Sequence, residues 1–190
     1  YNIQSGTIRV DDVNIVDIGL ESLRNNIAFV QQDVFLFSDS ILNNITLFDD
    51  SITKEYVISA AKQIGIDSFI NSLPGKYDYV VGERGVTLSS GQKQLIAFLR
   101  VYVRNPKILI LDEATSSVDT ETEKLLQTAL VKLSKNRTTI VIAHRLSTII
   151  DANKILYLKD GKVIEEGNHY SLLEKKGHYF KMYQQQVDCN

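Results

Sequence analysis

Lys107-Ile108-Leu109-Ile110-Leu111-Asp112-Glu113 is the stretch that decides how this chain folds. Its aliphatic run is unbroken, the pattern of a strand covered on both faces in a parallel sheet. It ends in two carboxylates. Upstream, Leu88-Ser89-Ser90-Gly91-Gln92 opens a helix that carries Leu95, Ile96, Leu99 and Tyr102 or Val103 inward and must stop before Pro106. Downstream, Thr138-Thr139-Ile140-Val141-Ile142-Ala143 is a second unbroken strand, expected to be fully buried and to end at His144. Between them Thr120-x-x-Glu123 reads as a capping box for a helix over 121–133. Strand and helix alternate from residue 107 onward, which predicts a parallel sheet with crossover helices.

Working toward the N-terminus, helices alone occupy 51–104. Val57, Ile58, Ala61 and Ile64 share one helical face up to Gly65, and a shorter helix over 67–73 stops before Pro74. Residues 76–87 are irregular, with Gly82-Glu83-Arg84-Gly85 at their centre. A helical subdomain inserted into an α/β core is therefore expected. Asp33 to Asp50 reads as a loop whose aromatic Phe35-Leu36-Phe37 patch, taken alone, signals local packing. Asn26 to Gln32 is a short apolar strand ending in amides, Leu20 to Arg24 one helical turn, and 7–18 an antiparallel hairpin around Asp11-Asp12. Asp160-Gly161 marks a second hairpin turn, and the tail from Tyr170 has amphipathic helical spacing.

The totals narrow the classes. At 190 residues, 44% hydrophobic and 23% charged, the chain has one ordinary domain's worth of core. A net charge of −2 leaves no electrostatic footprint for nucleic acid. Cys189 stands alone, so neither a disulfide framework nor a cysteine zinc site is available. No apolar run approaches the roughly eighteen residues needed to span a bilayer. With Tyr1 first and Met182 its only methionine, the sequence reads as a piece of something longer.

In open α/β sheets ligands bind beyond the carboxyl ends of the strands, and three strands here end in polar residues: Gln32, Asp112-Glu113 and His144. Asp112 can hold Mg²⁺, and Glu113 can polarise an attacking water beside a phosphate. Ser89-Ser90-Gly91 offers free backbone N–H groups and the positive end of a helix dipole to an anion. Each feature alone has a plainer reading: a carboxylate pair as helix cap, a histidine as a satisfied hydrogen-bonder, a serine as an ordinary N-cap. Together they point to nucleoside triphosphate chemistry.

With these residues in view, the chain closely resembles the nucleotide-binding domain of ATP-binding cassette transporters, from about Gly6 to the C-terminus. Leu88–Gln92 resembles the family signature, Ile108–Asp112 with Glu113 the Walker B strand and catalytic glutamate, and Ser116-Ser117-Val118-Asp119 the D-loop. His144 matches the switch histidine, and Gln32 the Q-loop glutamine. Gly82–Gly85 resembles the X-loop of exporters, and Phe35-Leu36-Phe37 with Ile41–Ile45 the exporter segment after the Q-loop. That shifts the aromatic patch toward a surface for coupling helices of a transmembrane domain. The fold implied is α/β: a P-loop NTPase-like core of mainly parallel sheet plus an antiparallel β hairpin, with an inserted α-helical subdomain. Residues 1–32 and 105–190 would form the core of a single, partial domain, and 33–104 the helical subdomain.

The sequence departs from the family in places. Ser90 stands for the usual second glycine, Leu95 where many members have arginine, Leu99 and Val101 for alanines, and Ser117-Val118 for Ala-Leu. The largest departure is that no Gly-x-x-x-x-Gly-Lys-Ser/Thr occurs; Gly75-Lys76 is followed by Tyr77, and Gly161-Lys162 by Val163. In the family that Walker A loop, with its strand and helix, lies just upstream of a segment like 1–6. The chain alone is therefore expected to lack the phosphate cradle, to bind ATP poorly and to hydrolyse none.

The resemblance implies ATP and Mg²⁺ as cofactors, with Gln32 and Asp112 on the metal. Ser89, Gly91, Gln92 and Asp119 would join Gln32 and Asp112 in binding nucleotide, and Glu113 and His144 would be catalytic. It implies a second nucleotide-binding domain as homodimeric partner, a transmembrane domain fused upstream, no nucleic acid, and a place on the cytoplasmic face of the cell membrane. Two alternatives stay open on the sequence: a soluble ATPase of the same class without a membrane domain, and a non-catalytic module supplying only the signature face.

Overall fold

The computed structural model describes residues 3–82, 87–112, 118–143 and 148–187. They divide into two units: the described residues up to Asp112 together with Val118 to Ile140, and those from Val141 onward.

In the first unit, β1 (Arg9–Val10) and β2 (Val13–Asn14) pair antiparallel. Asp11 and Asp12 between them both take positive φ, 47° and 65°, the mirror-type turn whose twist suits a two-residue hairpin. A single 3-10 turn over Ile15–Asp17 leads to α1 (Leu20–Asn26), longer than one turn, and then to β3 (Ile27–Val30).

The segment expected as a loop contains a helix, α2 (Ile41–Thr46). Ser40 Oγ accepts from Asn43 N at 3.0 Å, and Ile41 and Ile45, one turn apart, are fully buried. Asn44 is buried with them. Its side-chain amide donates to Phe37 O at 3.0 Å and accepts from Phe37 N at 2.8 Å, folding the preceding aromatic stretch back onto the helix. Six residues are too few for a periodic signal to emerge from sequence.

Next come α3 (Lys54–Ile64), capped by Thr53 and ended by Gly65 at φ 89°, α4 (Asp67–Ser72), and a 3-10 turn at Lys76–Asp78. The long helix α5 (Ser90–Arg104) buries Leu95, Ile96, Leu99 and Val103 as expected and stops at Asn105, in the left-handed region, just before Pro106. β4 (Ile108–Asp112), α6 (Thr120–Ser134) and β5 (Thr138–Ile142) follow, the first three residues of β5 closing this unit. The cap of α6 is Asp119, not Thr120: its carboxylate accepts from Thr122 N at 2.9 Å, so Thr120 is already the first helical residue.

The sheet runs β3-β4-β5, with β3 and β4 parallel in the register Ile27↔Ile108 to Val30↔Leu111. Helices α2 to α5 all lie in sequence between those two parallel strands, so this is an α/β fold with an α-helical insertion. Val30, Leu109 and Leu111 lie buried on one face. The opposite face is open among the described residues: Phe29 is 52% and Ile140 51% exposed, and Ile108 and Ile110 are half-buried. The expectation that both β4 and β5 are covered on both faces is corrected here. An unbroken aliphatic run reports that a strand needs cover twice; the described residues supply it on one face, in line with a sequence that holds no Walker A strand and helix.

In the second unit β6 (Ile155–Lys159) and β7 (Lys162–Gly167) form an antiparallel hairpin turned by Asp160 and Gly161, both at positive φ. The tail is two helices rather than one: α7 (His169–Glu174) and α8 (His178–Val187). Lys176 at φ 50° breaks the run, and Gly177 lies where any Cβ would collide with the Glu165 carboxylate. That carboxylate accepts from His178 N and from Tyr179 N (3.1 Å), so it stands in for the side-chain cap of α8. Ile155, Leu172 and Tyr179 form the unit's core, where Tyr179 Oη meets His169 Nδ1 at 2.8 Å.

Candidate functional site

The site begins at the N-terminus of α5. Ser89 Oγ accepts from Gln92 N at 3.2 Å and Gln92 Oε1 accepts from Ser89 N at 3.0 Å, a reciprocal capping box. Both side chains named as nucleotide contacts therefore already serve the helix start. The first intrahelical bond is donated by Lys93 N to Ser89 O at 3.0 Å, which leaves the N–H groups of Ser90 and Gly91 without an intrahelical partner. Ser89 and Ser90 are exposed and Gly91 is buried. An anion could meet this end through backbone donors and the helix dipole.

Gly91 is the residue whose environment sequence reading did not anticipate. A Cβ placed on it would lie 2.6 Å from Thr122 Cγ2 and 2.7 Å from Val118 Cγ1, at the head of α6. Its missing side chain opens toward the protein.

Asp112 ends β4, half-buried, where its carboxylate could hold a hard cation. Gln32 lies exposed, two residues beyond β3. Since β3 and β4 run parallel, both strand ends lie on one edge of the sheet. Among the described residues no group of three or more Asp, Glu, His or Cys side chains converges as a metal cage. The donor set fits Mg²⁺, which is commonly held by one or two protein oxygens together with water and phosphate. Asp119 caps α6, and the Thr122 backbone N–H pulls its carboxyl below the usual carboxylate range. Glu113, His144, the Glu83–Gly85 part of the X-loop and Ser116-Ser117 lie outside the described residues.

The far end of α5 carries two residues that the sequence did not flag. Arg100 Nε donates to Asn44 O at 2.9 Å and its Nη2 to Phe35 O at 3.4 Å, while Arg104 Nη2 reaches Thr46 O at 3.2 Å. Burial, with the neighbouring charge of Arg104, lowers the Arg100 pKa from its ordinary value. Next to these contacts Phe35, Phe37 and Phe48 are exposed and meet edge to face, with centroids 5.1 and 5.9 Å apart. One helix, about 22 Å long at 1.5 Å per residue, thus joins the signature-like end to the aromatic patch.

Residues 1–116 match the family model described as ABC transporter. This chain belongs to the ABC transporter family. A Staphylococcus aureus protein provisionally named a multidrug export ATP-binding/permease protein is 50% identical over 183 residues, covering 96% of this chain and 32% of its own length. Multidrug resistance protein pgp-1 of Caenorhabditis elegans is 48% identical over 182 residues, 96% of this chain and 14% of that one. Among solved structures, a bacterial Atm1-family ABC exporter with ATP bound superposes with a TM-score of 0.88 at 43% identity, over 98% of this chain and 32% of that chain. The chain thus spans about a third of the bacterial relatives it matches. No helix among the described residues is long and apolar enough to cross a membrane.

Proposed function

We propose that this chain is the greater part of the ATP-binding and ATP-hydrolysing domain of an ABC exporter, and that ATP-driven dimerisation of two such domains powers transport. The observation that carries the reading is the family membership of a chain in which Gln32, Leu88–Gln92, Asp112-Glu113, Asp119 and His144 follow one another in the family's order.

Asp112 and Gln32 would hold Mg²⁺, which when bound supplies charge neutralisation on the phosphates. Glu113 orients and deprotonates the attacking water, and His144 steadies the terminal phosphate. Ser90 and Gly91 offer their backbone N–H groups, beside the Ser89–Gln92 box, to the ATP of a partner domain, while Asp112 and Glu113 serve the chain's own nucleotide. Residues 33–104 form the helical subdomain, whose motion about Gln32 passes through α5 to the Phe35, Phe37 and Phe48 surface. That surface receives a transmembrane domain at the cytoplasmic face of the membrane.

Glu113→Gln in the full-length protein is expected to trap an ATP-closed dimer, seen by size-exclusion chromatography, with turnover reduced at least about a hundredfold. Normal steady-state turnover in that variant would remove Glu113 from the base role. The 190-residue chain by itself carries no Walker A loop and is expected to show no turnover. Magnesium-dependent hydrolysis by it that survives Glu113→Gln would overturn the assignment.

A further inference from the structure

We infer that Val118 and Thr122 are positioning residues for the signature end of α5: they fill the space that Gly91 leaves open and so fix the Ser90 and Gly91 donors. Three observations carry this. Gly91 is buried while Ser89 and Ser90 on the same turn are exposed, so its side-chain direction is the protein side. That direction ends on Thr122 Cγ2 at 2.6 Å and on Val118 Cγ1 at 2.7 Å, closer than carbon atoms pack without repulsion, with Val118 Cγ2 next at 3.4 Å. Both partners are β-branched, which restricts χ1 and leaves each few rotamers by which to yield.

The backing is itself held. Thr122 is buried, and its N–H is tied to the Asp119 carboxylate at 2.9 Å, which fixes the first turn of α6. Val118 immediately precedes that cap. Further along, Leu126 and Ala129 are buried on α6, and Leu95 and Leu99 on α5. The glycine in this motif therefore serves helix-to-helix packing, and its benefit to a phosphate is indirect. A shift of α6's first turn moves the donors of α5 with it. The D-loop residue Val118 and the signature thus form one mechanical piece within a single chain.

The meaning of those donors rests on the function proposed above; the interlock itself does not. The test uses the full-length protein in four forms: parent, Gly91→Ala, Val118→Ala with Thr122→Ser, and all three changes together. The triple variant removes the methyl groups that a new Cβ at position 91 would strike, while keeping a hydroxyl and the backbone at position 122. Melting temperature is read without nucleotide, and KM and kcat are read with Mg-ATP. Gly91→Ala is expected to melt lower and to raise KM about tenfold or more, with a smaller change in kcat. The triple variant is expected to melt with the double variant and to return KM to within about twofold of it.

If Gly91→Ala does not fold at all, recovery of folding in the triple variant supports the interlock, and a triple variant that also fails to fold overturns it. Restored melting with unrestored KM would mean that Gly91 clears space for phosphate directly, and would overturn the positioning role. Unchanged melting and KM in Gly91→Ala would do the same. Should the parent neither bind nor hydrolyse Mg-ATP, the proposed function fails, while the melting arm still decides the interlock.

Discussion

Helix α5 and strand β5 carry equally apolar stretches, yet the fold treats them oppositely. Leu95, Ile96 and Leu99 of α5 are completely buried, its first turn is closed by the Ser89–Gln92 box, and its last turns are tied through Arg100 and Arg104 to the α2 segment. In β5, Ile140 keeps about half its surface, and Phe29 on β3 does the same. Hydrophobic composition states how much cover an element needs. Whether cover arrives depends on what else is folded beside it.

The contrast is sharpest in truncations. Leu99→Ala should cost about 2–5 kcal/mol, the range for emptying a filled core site. Ile140→Ala should cost within about 1 kcal/mol, because the half-exposed side chain has little packing to lose. Urea denaturation of the two variants compares them directly, and equal losses would erase the distinction between a covered and an open element. Ser89→Ala is the next step down. Loss of the cap should cost about 1 kcal/mol, read in the same titration, and a neutral result would show that Gln92 alone sustains the helix start.

Two titrations probe the same difference more gently. The Tyr77 hydroxyl is buried and donates to Asp67 Oδ1 at 2.8 Å, so burial first, and then the hydrogen bond and charge of Asp67, raise its pKa. The folded state therefore holds that proton longer than the unfolded chain. Stability should be intact below about pH 10 and fall as pH rises beyond it; Tyr77→Phe should flatten the slope in alkaline melting curves. Asp119 behaves in the opposite sense. Its carboxyl is lowered by Thr122, so its contribution is present above about pH 4 and is lost as pH falls through the lowered value. Amide protection factors at the start of α6, taken relative to the unfolded chain at the same pH, should fall only in acid, and Asp119→Asn should remove that acid dependence.

Much of the architecture was legible before the structure. The strand at Ile108–Asp112, the helix Ser90–Arg104 between its Ser89 cap and Pro106, the Gly65 stop and both hairpin turns rest on local rules that are strong in short windows. What escaped has identifiable causes. Helix α2 is six residues long, and its evidence is tertiary: Asn44 reaching back to Phe37. The tail broke into α7 and α8 because Glu165, distant in sequence, supplies the start of the second helix. The cap of α6 moved from Thr120 to Asp119 since a single residue of offset is below what spacing alone decides. For the site, the motif residues could be named from sequence, but not that Ser89 and Gln92 satisfy each other or that Gly91 faces Val118 and Thr122.

By itself the sequence determined the family, the order of its motifs and which residues are candidates to meet a phosphate. Those follow from residue types at fixed spacing along one chain, where turn, cap and strand chemistry are local. The tertiary structure alone decided which apolar faces are covered, which end of α5 is tied to α2, and why residue 91 is glycine. Each depends on atoms far apart in sequence and a few ångströms apart in space, where a single Cβ either fits or does not.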